Sequence, residues 1–167
     1  MTPLLAAIAS AIAMEPAVAA VHRRVMHGRG WVWHRSHHRR RGRGLEANDL
    51  FPVVFAAATI AAIAVGAAIA RLSVLMWIGA GVTAYGVAYI VVHDLYIHER
   101  LGRLPGAGLR YIRWVADAHG VHHRSGRGPY GFLLPRVPSA SGRHPGHDPL
   151  EHTPRRSRRR QCETQPA

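Results

Sequence analysis

The sequence predicts an all-α integral membrane protein, with about three transmembrane helices joined to short cytoplasmic helices that carry histidine boxes. Three observations lead there. Residues 50–70 and 72–92 contain no charged side chain, and only Arg71 separates them. Arginine is unevenly placed, with eight between Arg23 and Arg43 and one at that separation. Ten of the 13 histidines fall into four boxes near the apolar runs: His22 and His27; His34, His37 and His38; His93 and His98; His119, His122 and His123.

The first element, residues 3–21, is alanine-rich and apolar but interrupted by Glu15-Pro16. Ala17-Val18-Ala19 resembles a signal-peptide cleavage site. No Lys or Arg precedes it, however, and Glu15 breaks the apolar stretch, so a retained helix is the better reading. A basic segment follows, with Trp31 and Trp33 suited to a membrane–water boundary. Its arginines either disfavour imidazolium, and so depress the histidine pKa values, or form a positive-inside flank with no influence on the site.

At about 1.5 Å per residue, each charge-free run is long enough for a hydrocarbon core roughly 30 Å thick. A single helix through both is implausible, so Arg71-Leu72-Ser73 is read as the turn of a transmembrane hairpin. Gly66, Gly79, Gly81 and Gly86 would let its backbones approach closely. Two crossings return the chain to its starting side, which puts all four boxes in one compartment. The arginine bias makes that side cytoplasmic and the N-terminus external. Beyond His98, residues 102–108 read as a loop and 109–123 as a short helix, with Leu109, Ile112, Ala116, His119 and His123 forming one stripe.

The formal charge of +13 would on its own suggest nucleic acid or an anionic membrane surface. Its placement beside apolar runs selects membrane lipid and argues against nucleic acid. The single cysteine, Cys162, allows neither an intrachain disulfide nor a cysteine-based metal motif. Residues 1–136 form the membrane domain in this reading. Residues 137–167, rich in Pro, Gly, Ser and Arg, cannot bury a core and form a basic, disordered tail. His144, His147 and His152 lie there and are set apart from the boxes.

Clustered neutral imidazoles are good ligands for iron, zinc, copper or nickel. Within each triplet, spacings of three and four place rings on one helix face. The pairs spaced by five point less nearly together, and suit either one centre approached from a helix end or two centres side by side. One ion accepts at most about six ligands, so ten histidines argue for two metals. Asp49 and Asp94 are candidate partners for outward ring N–H groups, with interfacial capping as their other reading.

In box order and in the residues between boxes, the chain resembles the bacterial carotenoid β-ring 3-hydroxylases of the membrane fatty-acid-hydroxylase superfamily. The matching stretches include Met14-Glu15, His22 to His27-Gly28, Trp31-Val32-Trp33-His34, Asn48-Asp49-Leu50, Trp77-Ile78-Gly79, Val92-His93-Asp94, His119 to His123 and Gly131-Phe132-Leu133. That resemblance implies a non-haem di-iron centre with two irons per chain, molecular oxygen as co-substrate, and electrons from a ferredoxin and its reductase. It implies hydroxylation at C3 of carotenoid β-ionone rings, from β-carotene through β-cryptoxanthin to zeaxanthin, at the cytoplasmic face of the bacterial inner membrane. An acyl-lipid hydroxylase or desaturase would use the same histidines on another chain. A metal-binding protein without catalysis is the other alternative.

Overall fold

The computed structural model describes residues 2–39 and 44–136, which are helical throughout their regular structure. Five α-helices follow in order: α1 (Pro3–Val21), α2 (Trp31–His38), α3 (Leu50–Ala68), α4 (Val74–Tyr89) and α5 (Arg110–Ser125). Two π-helical stretches extend them, His22–Arg29 after α1 and Ile90–Ile97 after α4. Three helical spans are long and apolar enough to cross a membrane: Pro3–Arg29, Ala47–Ala68 and Val74–Ile97. The chain is a membrane protein.

Glu15-Pro16 does not interrupt the first span, since α1 runs through Pro16. A proline inside a membrane helix is tolerated where neighbouring helices and local adjustment satisfy the freed carbonyl. The hairpin turn falls where expected, as a 3-10 turn at Ala70–Leu72, with Leu72 N–H donating to the Ile69 carbonyl at 2.8 Å.

Helix α4 packs against both α1 and α3. Its glycines explain why. A Cβ at Gly81 would collide with the Ala7 carbonyl and the Ser10 hydroxyl of α1, and one at Gly79 with Ile63 of α3. Ser10 Oγ donates across the same contact to the Ile78 carbonyl at 3.1 Å. Large apolar residues such as Ile12, Val54 and Ile60 are left exposed on the outside, as a lipid-facing surface requires.

Helix α5 lies below this body and ends at Gly126, whose φ of 65° is the left-handed conformation that glycine adopts without strain. Its buried face comprises Ile112, Val115, Ala118, His119 and His122, rotated from the expected stripe. Leu109 is exposed, because Val92, Ile112 and Val115 form the packed cluster above the helix. The basic tail expected at 137–167 lies outside the described residues.

Candidate metal centre

Apart from Val115, the largest fully buried side chains are all histidines: His22, His34, His37, His93 and His122. An interior built of imidazole rather than aliphatic groups needs a cause beyond packing, since polar groups are costly to bury unless satisfied.

The local backbone explains how spacing of five becomes convergent. On an α-helix such residues diverge, but a π-helix closes hydrogen bonds over five residues and widens the turn. His22 and His27 lie within one π-helical stretch, and His93 lies within the other, which His98 caps at its C-terminal end. The His98 N–H donates to the His93 carbonyl at 2.9 Å, and the two ring centroids stand 4.6 Å apart. His22 and His27 are 5.1 Å apart by the same measure. In each pair the two rings therefore converge rather than diverge.

Nine of the ten rings divide into two groups. His22, His27, His34, His38 and His122 form one, and His37, His93, His98 and His119 the other, with the ligand atoms of each group within 4.8 Å of one another. His123 links them. Its Nε2 lies 3.1 Å from His37 Nε2, while its ring stacks on His38 at 4.4 Å. Helices α2 and α5 each contribute to both groups: His34 and His38 against His37 on α2, and His122 against His119 on α5.

The outward ring nitrogens are held by oxygen. His22 Nδ1–H donates to the Tyr130 carbonyl at 3.0 Å, His34 Nδ1–H to Asn48 Oδ1 at 2.7 Å, and His122 Nδ1–H to the Arg127 carbonyl at 2.7 Å. His93 Nδ1–H donates to Asp94 Oδ1 at 2.8 Å, and His37 Nδ1–H reaches Glu46 Oε1 at 3.4 Å. Asp94 thus sits where an outward partner was expected. Asp49 instead accepts from Arg100 and from the Glu46 N–H. Asn48, Glu46 and the Tyr130 and Arg127 carbonyls were not expected, and only Asn48 lay in a stretch already singled out.

This arrangement fixes tautomers, because a neutral imidazole with its proton on Nδ1 leaves Nε2 as a bare lone pair. His22 Nε2 and His34 Nε2 then face each other at 3.0 Å with no proton between them. His38 Nε2 and His93 Nε2 are buried without a hydrogen-bond partner among the described residues. Convergent, unprotonated imidazole nitrogens are what a transition-metal cation takes, so the donor set fits a metal in each group.

Outside the membrane spans, burial is the main cause holding the histidines neutral. It pushes His34 and His122 down to about 4 and His123 to about 3, with neighbouring rings adding to the effect. His37 and His119 are lowered well below their ordinary value for the same reasons. No arginine is among the main causes that lower these five rings. Of the two readings of the basic segment, a flank without influence on the site is the one that accords with them, since solvent screens charges near the membrane surface whereas burial acts on each ring directly.

Next to the rings, an apolar cavity of about 300 Å³ lies among α1, α3 and α4. Met26, Phe51, Tyr89 and Phe132 line its end nearest the histidines. Tyr89 stacks on His93 with centroids 4.8 Å apart, and Phe132 stacks on His22 at 4.9 Å.

A helical membrane body that gathers ten imidazoles beneath an apolar cavity defines a membrane protein whose interior can hold metal. The chain belongs to the Fatty acid hydroxylase family, whose profile it matches over residues 7–137. It is 45% identical over 141 residues to a β-carotene hydroxylase of Pseudescherichia vulneris, covering 81% of this chain and 78% of that one. Identity to the β-carotene hydroxylase of Pantoea ananas is 43% over 128 residues, covering 73% and 71%. A chloroplastic β-carotene 3-hydroxylase of an Oncidium hybrid cultivar is 38% identical over 132 residues, covering 77% of this chain and 43% of the relative. No solved structure matches the chain.

Proposed function

We propose that the protein is an oxygen-dependent carotenoid hydroxylase that introduces hydroxyl groups at C3 of β-ionone rings, converting β-carotene through β-cryptoxanthin to zeaxanthin. The observation that carries this is the contact between the apolar cavity and two groups of metal-ligating histidines, through Tyr89 and Phe132. The bacterial relatives named as β-carotene hydroxylases support the substrate.

Two irons per chain are the proposed cofactor, one in each histidine group, with His123 shared at their boundary. When bound, they supply oxygen activation, which an inert C–H bond requires and which no acid, base or nucleophile replaces. The ten histidines would hold the metals. Asp94, Glu46 and Asn48 fix ring orientation from behind. The cavity excludes water and presents the hydrocarbon end of a substrate drawn from the bilayer.

The proposed setting is the bacterial inner membrane with the centre on the cytoplasmic face, reached by electrons from a ferredoxin and its reductase. Residues 1–136 are the working domain, and the basic residues of 137–167 would meet anionic lipid rather than nucleic acid. The test is expression in cells that accumulate β-carotene, with pigment analysis and metal analysis of the purified protein. Zeaxanthin together with two irons per chain is expected. One zinc and no iron would defeat the di-iron reading. The description of the matched family favours a second reading, hydroxylation of an acyl lipid, and product analysis in the same cells separates the two.

A further inference from the structure

Two stretches of the resemblance, Met14-Glu15 and Gly131-Phe132-Leu133, supply no metal ligand, yet they meet in the fold. Glu15 lies within a membrane span, where a carboxyl group is costly unless partnered. Its oxygens accept from the Tyr85 hydroxyl at 2.5 Å, the Leu133 N–H at 3.1 Å and the Leu134 N–H at 2.8 Å. Gly131 allows that approach, since a Cβ there would collide with Glu15 Oε1. From α5, the Tyr111 hydroxyl donates to the Leu133 carbonyl at 2.9 Å, so the segment is held from both sides.

Phe132 is fixed in consequence. Only 6% exposed, it borders the apolar cavity while stacking on His22 with rings 10° from parallel. It also meets His93 in a T-shaped contact, with centroids 5.0 Å apart. His22 and His93 belong to different histidine groups. One ring therefore borders the cavity and touches a histidine of each group.

We propose that Phe132 is a specificity-determining wall against which the end of the apolar substrate stops, and that Glu15 is the positioning residue that sets the wall. The depth of that stop decides which carbon is presented to the metal side. This rests on the carotenoid reading above. A purely structural Glu15 would alter how much product forms, whereas a positioning Glu15 alters which product forms.

The test compares full-length wild type, Phe132→Ala and Glu15→Gln in β-carotene-accumulating cells, separating products by hydroxyl position and measuring iron per chain. Phe132→Ala is expected to raise the share hydroxylated at a neighbouring ring carbon about tenfold, with iron unchanged. Glu15→Gln is expected to move the ratio in the same direction. Should the Glu15→Gln chain fail to accumulate, Gly131→Ala displaces the same segment from the other side and replaces it. Lower yield with an unchanged positional ratio at full iron content, in both variants, would overturn the proposal. A readout without turnover is titration of metal-free protein with β-carotene: Phe132→Ala should shift the pigment's absorption maximum or affinity, and identical titrations count against the wall. If wild type makes no hydroxylated carotenoid, the carotenoid reading fails on its own account. The same positional comparison on the acyl product then decides for or against Phe132.

Discussion

Arg100 grips Asp49 with two donors, at 2.5 Å to Oδ1 and 2.9 Å to Oδ2. The same guanidinium donates to Glu46 at 2.9 Å and lies 3.6 Å from Asp94. Glu46 and Asp94 are the acceptors behind His37 and His93, so one cation orders two supports of a single histidine group. Hydrogen bonding to Asp49, more than any other contact, raises the pKa of Arg100 above its already high value. Its charge is permanent.

Asp94→Asn should therefore weaken metal retention in the His37–His93 group, by about 10- to 100-fold in affinity. Arg100→Ala acts one contact further out and should weaken the same group less. Competition with a chelator, followed by metal counting, measures both. Equal retention by wild type and Asp94→Asn would show that the carboxyl group does not support the ligand.

Replacing His37, His98 or His122 with Ala should abolish zeaxanthin formation in each case while the protein still inserts, because each box supplies too few rings to enclose a metal alone. The control is His147→Ala, outside the described residues, which should behave as wild type. Pigment analysis at matched expression is the check, and normal turnover by His98→Ala would remove the third box from the ligand set.

The metal-free protein should lose stability in acid. His34, His122 and His123 have folded-state values near 4, 4 and 3 against an ordinary 6.5, so below about pH 6.5 the unfolded chain takes up protons that the folded chain refuses. Stability is thus fully present above pH 6.5 and declines as pH falls from there toward 3. Thermal unfolding of chelated protein at pH 7.5 and pH 5.5 should give the lower Tm at pH 5.5. No difference between them would mean that the rings titrate freely in the fold.

Gly81→Val should destabilise the membrane body by about 1–3 kcal/mol, since a side chain there meets the Ala7 backbone rather than a movable group. Gly86→Ala, where no neighbour lies within 4 Å, should be nearly neutral. Detergent-resistance or thermal-shift measurements on the pair would expose an error if Gly86→Ala proved the more harmful.

Hydropathy and spacing are local properties, which is why the three spans, the turn at Arg71 and the four boxes could be read from the chain alone. The sorting of rings into groups could not. His37 and His38 are adjacent in sequence yet belong to different groups, and that follows from where α5 and the π-helical stretches bring their partners. Glu46 and Arg100 carry no local signal either, because their importance comes from meeting across 54 residues. The stripe expected on the last helix was rotated for a related reason: periodicity gives the existence of a face, while packing against Val92 decides which residues form it.

The π-helical turn between His93 and His98 has a consequence for how this protein can change over time. Such a turn holds one residue more than an α-helix would place there. Losing a single codon from it would let the backbone close into ordinary helix with the two rings four residues apart, a spacing that still shares one face, while the chain beyond keeps its direction. Gaining a residue would instead turn everything beyond by about 100° and carry His98 away from His93. Drift is thus lopsided here: a deletion returns the segment to regular helix with its rings together, and an insertion parts them.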